Sequence, residues 1–151
     1  METVVQLNSQ AKLSEHFVLG EFTKSSSHPE IYNIPSHEAI ANLKRICIWL
    51  EVLRERSGGP VRINSGYRSP QLNRAIHGNA NSNHMTGCAC DIRVSGMEQA
   101  LRYAVILLDY ADESTQEFDE LLIEKNRYGA IWVHFAVRPS NNRRKITFIN
   151  A

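Results

Sequence analysis

The chain has 151 residues, 42% of them hydrophobic and 22% charged, the size and make-up of one globular domain with its own core, spanning 1–151. Seventeen basic residues face sixteen acidic ones, so no long-range field draws the whole surface to nucleic acid or anionic lipid, and recognition is expected to be local. No stretch approaches a membrane span, and the start METVVQLNSQAKLSEHF lacks a cationic segment followed by an apolar one, so the chain is expected to be made and to stay in the cytoplasm.

Residues 1–14 read as an N-terminal extension. From Ser36 onward, Ile40, Leu43, Ile46, Cys47, Leu50 and Leu53 recur at helical spacing, with Pro35 and Ser36 as the start signal and Gly58-Gly59-Pro60 as the stop. That pattern predicts an amphipathic helix of about five turns. Residues 61–64 read as a short strand; Ser65-Gly66 then turns the chain into Tyr67-Arg68-Ser69-Pro70, where Ser69 can cap and Pro70 can start a short helix. Residues 77–87, rich in Gly, Asn and Ser, have no apolar period and form a loop that leads into the strand CACDIRV, whose period of two puts Ala89, Asp91 and Arg93 on one face.

A second long helix is predicted from Met97 to about Tyr110, with Leu101, Ala104, Val105 and Leu108 as its apolar stripe. Residues 118–124 and 131–137 are apolar runs joined by the polar connector KNRYGA and read as an antiparallel pair, with residues 145–149 as an edge strand. Helices and strands do not alternate as βαβ units, so the predicted class is α+β: a small, mainly antiparallel sheet flanked by helices.

Two imidazoles and a carboxylate stand out as chemistry. His84 lies in the Gly/Asn-rich loop, Asp91 in the strand after it, and His134 inside Ile131-Trp132-Val133-His134-Phe135 on another predicted strand. Catalytic zinc sites keep three such ligands and one open position, and zinc brings the pKa of water to about 7, so the reaction class is metal-assisted hydrolysis. The competing reading is that these are a loop histidine and a buried core histidine with no metal between them.

The surrounding residues add weight to the first reading. Ser82-x-His84-x-x-Gly87-x-Ala89-x-Asp91, followed by Trp132-Val133-His134, resembles the signature of the peptidase M15 family, which contains the zinc D-Ala-D-Ala carboxypeptidases and shares its scaffold with the Hedgehog signalling domain. Glu15-His16-Phe17 through Glu21-Phe22, Ser65-Gly66-Tyr67-Arg68-Ser69, Leu72-Asn73, Phe118-Asp119 through Glu124, and Asn142-Arg143 also look like family landmarks, so the resemblance covers most of the chain.

The resemblance implies a Hedgehog/DD-peptidase-like fold in which His84, Asp91 and His134 bind one zinc ion, with Ser82 and Gly87 shaping the ligand loop. Arg68 falls on the family's SGYR arginine, which contacts substrate; a guanidinium suits a terminal carboxylate or a polarised carbonyl. Tyr67 and Ser82 beside it are candidate substrate contacts. Many relatives place an acid three positions before the last histidine, where this chain has Ile131, so the general base falls to Glu124, at the end of the strand paired with the one bearing His134. Glu124 would take a proton from the attacking water and pass it to the leaving amine.

Cys88 and Cys90 alternate with Asp91 and should point into the core, and with Cys47 they read as reduced thiols. His16, His28, His37 and His77 lack ligand-like neighbours. The run Asn141-Asn142-Arg143-Arg144-Lys145 is short and without interleaved aromatics, so it reads as a solvated turn rather than a nucleic-acid contact. The expected substrate is a peptidoglycan stem peptide or muropeptide cut at a D-amino-acid-containing bond, by carboxypeptidase or phage-type endopeptidase action; a phage or prophage lysin would reach the wall after release. The alternative is an inactive, zinc-stabilised binding module of the Hedgehog type.

Overall fold

In the computed structural model, which describes residues 8–25 and 27–151, the Ser36 hydroxyl accepts a hydrogen bond from the backbone N–H of Ala39 and starts helix α2, His37–Ser57. Gly58, at φ 76°, closes it by returning its N–H to the Arg54 carbonyl, a left-handed conformation that glycine adopts without a Cβ clash. A short helix that the periodicity did not signal, α1 (Gly20–Thr23), precedes it. After α2 come strand β1 (Ile63–Ser65) and helix α3 (Pro70–Ala75), which has Ser69 as its cap and Pro70 at its first turn, as predicted. A single 3-10 turn (Asn83–Thr86) sits within the predicted loop and leads to strand β2 (Ala89–Arg93). Helix α4 (Met97–Ser114) and strands β3 (Glu120–Lys125), β4 (Ile131–Ala136) and β5 (Lys145–Asn150) complete the chain.

The five strands form one sheet in the order β1-β2-β4-β3-β5, antiparallel throughout except where β5 runs parallel to β3. The class is therefore α+β with a mainly antiparallel sheet, as the sequence predicted. Among the described residues, no helix is long and apolar enough to cross a membrane.

One face of the sheet carries Cys90, Ile92, Leu121, Ile123, Val133 and Phe135, all buried, and is covered by α2 and α4. Trp49 of α2 anchors that interface, with its ring centroid 5.2 Å from Phe135 and 4.9 Å from Tyr110 of α4. Such tilted and edge-on aromatic pairs add to the area they bury. The three thiols are buried in this layer, and burial pushes Cys47 up to about 12 and raises Cys88 and Cys90, which keeps them un-ionised.

The predicted stripe of α4 requires correction. Leu101 and Val105 are exposed, and the helix buries Ala100, Tyr103, Leu107 and Ala111 instead. The helix carries two adjacent apolar stripes, and a period of 3.6 fits either; packing of Tyr103 and Leu107 against α2 and the sheet selects the second. Of the predicted extension 1–14, residues 1–7 lie outside the described residues. Its last residues pack on the body: Leu13 is buried and the Ser14 hydroxyl donates to Glu51 of α2 at 2.6 Å.

Candidate metal centre

The ligand loop is built from its ends. The Ser82 hydroxyl accepts the backbone N–H of His84 at 3.2 Å and begins the 3-10 turn; Gly87 ends it at φ 76°. Gly87 passes so close to α2 that a Cβ there would run into the backbone carbonyl of Ala39. From the helix side, Asn42 Nδ2 donates to the Thr86 carbonyl at 2.9 Å. These contacts fix where His84 stands relative to β2.

Sheet register does the rest. Asp91 of β2 lies directly opposite His134 of β4, and His134 lies opposite Leu122 of β3. Period-two alternation places Asp91, His134, Glu120, Leu122 and Glu124 on the face away from the helices. His84 Nε2 approaches Asp91 Oδ1 at 3.3 Å and His134 Nδ1 approaches the same oxygen at 3.1 Å. One ligand atom from each of the three residues lies within 4.8 Å of the others.

Each imidazole is oriented from behind. His84 Nδ1 donates to the Gly66 carbonyl at 2.6 Å, which orients the ring and turns Nε2 toward Asp91. His134 turns its other nitrogen, Nε2, to Glu120 Oε1 at 3.0 Å. Metal-binding histidines are held in this way, by a carbonyl or a carboxylate on the far nitrogen. A nitrogen, nitrogen, oxygen donor set oriented from outside suits a divalent transition metal, and zinc in particular.

Electrostatics point the same way. Burial by itself would raise the Asp91 carboxyl, but His84 and His134 outweigh it and hold Asp91 far below the carboxylate range. Burial would lower His134, yet its bonds to Asp91 and Glu120 push it up to about 9. The pocket thus draws positive charge to the point where the three side chains meet.

A cavity of about 490 Å³ opens over these residues and is also lined by Arg68, Ser82, Glu120, Glu124 and Lys145. Arg68, arriving just after β1, donates from a terminal nitrogen to Asp91 Oδ2 at 3.2 Å and from Nε to Ser65 Oγ at 3.2 Å. Burial, then the nearby Asp91 charge, raises Glu124 above the ordinary glutamate value. A carboxylate displaced upward in a cleft has the character of a proton acceptor.

The chain matches the family described as Peptidase M15 over residues 15–120. The chain belongs to the peptidase M15 family. As an M15 peptidase it is a hydrolase by class. Glu124 and His134 fall beyond the matched span, so their placement rests on the register of β3 against β4. Among solved structures, the M15 chain is similar to the Serratia marcescens L-Ala D-Glu endopeptidase ChiX, with 18% identity and a TM-score of 0.44, covering 74% of this chain and 95% of that one. No curated protein matches it.

Of the site residues read from sequence, His84, Asp91, His134, Arg68, Ser82 and Glu124 share the cavity. Tyr67 does not: its side chain is buried in the core cluster and does not line the cavity. The peptide after β1 turns the Tyr67 ring inward while Arg68 turns out. Two participants escaped the sequence reading. Glu120 holds His134, and Asn83, the residue before His84, donates to Glu120 at 2.7 Å and to buried Asp119 at 2.8 Å. The alternation of Glu120 with Glu124 on one strand was the signal for the first; nothing local signals the second.

Proposed function

We propose that this M15 chain is a zinc-dependent peptidase that cleaves a D-amino-acid-containing peptide bond of bacterial peptidoglycan. The observation that carries this reading is the convergence of His84 Nε2, Asp91 Oδ1 and His134 Nδ1 at one point of a cavity that also receives Arg68 and Glu124. His84, Asp91 and His134 would hold the ion, which supplies Lewis acidity, polarising an amide carbonyl and acidifying water.

The chain's own groups divide the remaining work. Arg68 spends one N–H on Asp91 and one on Ser65 and lines the cavity, where its other donors can take a peptide's terminal carboxylate or the oxygen on which negative charge develops. Glu124, already displaced upward, takes a proton from the attacking water and delivers it to the departing amine nitrogen. The Gly66 carbonyl keeps the His84 imidazole aligned, and Glu120 keeps that of His134.

Incubating the zinc-loaded chain with muropeptides and following products by mass spectrometry tests the proposal and locates the cut bond. The wild type is expected to release product, and Glu124→Gln to slow by about 10²- to 10⁴-fold while retaining its zinc. A wild type inactive on several stem peptides would instead support a zinc-stabilised binding module.

A further inference from the structure

The charge balance of the chain is close to neutral, yet its cations are not evenly compensated. Arg56, Arg68, Arg102, Arg138, Arg143 and Arg144 each hold a carboxylate within 4.0 Å. The other eleven Lys and Arg side chains hold none among the described residues, and four of them, Lys24, Arg54, Arg62 and Arg93, line one cavity of about 470 Å³ at the β1 edge of the sheet. That cavity shares no lining residue with the one over His84, Asp91 and His134.

Two features make the gathering more than a solvated surface. Ile63 of β1 pairs with Ile92 of β2, and just beyond that pair Arg93 N donates to the Arg62 carbonyl at 2.9 Å, which brings the two arginines to neighbouring positions at the sheet edge. Like charges on neighbouring strands oppose each other, and neither arginine holds a carboxylate within 4.0 Å among the described residues. The single acid in the cavity, Glu21, is already engaged, its Oε1 accepting the Val18 N–H at 3.0 Å, and His16 at the rim is bound to Glu51 at 2.7 Å. Three guanidiniums and an ammonium, from α2, the end of α1 and the β1–β2 edge, thus line one concave space together with buried Phe17 and Ile63.

We propose that this cleft binds a phosphate-bearing ligand. Guanidinium forks match the oxygens of a phosphate with paired hydrogen bonds, several cations around one group suit an anion of more than unit charge, and the volume exceeds that of a bare phosphate ion. Arg93 lies two residues along β2 from Asp91, about 7 Å at the rise of a strand, so the phosphate would sit beside the metal-centre cavity. The inference does not depend on the peptidase reading, because it concerns a separate set of residues.

Amide chemical-shift mapping of the full, zinc-loaded chain, titrated with inorganic phosphate, glycerol 3-phosphate and a poly(glycerol phosphate) chain, tests it. Saturable shifts are expected at residues 16–24, 61–64 and 93. Tighter binding of the polymer than of the two small phosphates would assign the source to a phosphodiester chain, and equal binding to free phosphate compounds. The double variant Arg54→Gln with Arg62→Gln is expected to weaken binding at least about tenfold with its fold intact by circular dichroism. Arg127→Gln, on the β3–β4 turn, serves as the control for diffuse attraction. The proposal is overturned by shifts confined to the surroundings of His84 and His134, by equal weakening in Arg127→Gln, or by acetate acting on the same residues as strongly as phosphate.

Discussion

The two faces of the sheet are made by the same strands and behave as opposites. On the helix side, Cys90, Ile92, Val133 and Phe135 are sealed under α2 and α4; on the other side, the intervening Asp91 and His134 meet His84 and the cavity. The apolar face needs only shape and volume, and many hydrophobic combinations would serve it. The polar face needs particular atoms within a few ångströms of one another. What fixes those atoms is the apolar face, because a one-residue slip of β4 against β2 would move His134 into the core and Val133 or Phe135 into the cavity.

Substitutions that strike one face and spare the other sharpen this contrast. The largest effect is expected from His134→Ala: bound zinc measured by elemental analysis falls to well under one equivalent and muropeptide cleavage falls to background, while the secondary structure seen by circular dichroism persists. Full zinc occupancy in that variant would remove the residue from the metal centre. On the opposite face, Trp49→Ala should cost about 3–5 kcal/mol of unfolding free energy in denaturant titration, through the lost ring and the cavity it leaves. Residual folded chains of that variant should still bind zinc with the wild-type stoichiometry, and a loss of stoichiometry would mean that the two faces are less separable than their packing implies.

Asp119 joins the faces and gives the contrast a pH dependence. It is fully buried, and although burial raises its carboxyl, the bidentate Arg143 at 2.8 and 3.0 Å, together with Asn83, brings it down to about 2 from an ordinary 3.8. A carboxyl depressed on folding contributes stability above its unfolded value, and that contribution fades as pH falls from 3.8 toward 2. The difference in unfolding free energy between wild type and Asp119→Asn should therefore be about 2 kcal/mol larger at neutral pH than in acid below the folded-state value. A pH-independent difference would show that Asp119 acts through shape and not charge.

The smallest effect is expected at Glu120. Glu120→Gln keeps an acceptor oxygen for His134 Nε2 and removes only the charge, so zinc affinity by chelator competition should weaken about tenfold, at the mild end for groups that orient a ligand. An unchanged affinity would mean that His134 is positioned by the sheet alone.

Read from residues, the long helix from Ser36, the proline-started turn at Pro70, the strand around Asp91 and the paired strands before and after KNRYGA were all legible, because caps and periodicity are local signals. The ligand motif was legible too, since Ser82, His84, Gly87 and Asp91 lie within ten positions of one another. Other features were not. Whether α4 buries Val105 or Leu107 depends on which of two stripes meets Trp49 and the sheet, and Tyr67 and Arg68 differ only in which way one peptide turns. The pairing of β5 with β3, the bond from Glu120 to His134 and the reach of Asn83 to Asp119 are contacts between segments far apart in the chain. Local residue order was enough to set the elements and the chemistry available to them, because hydrogen-bonding caps and apolar spacing act over a few residues. Which groups stand behind the histidines, and that Arg54, Arg62 and Arg93 come together, followed from strand register and helix packing, which set distances between segments far apart in the chain.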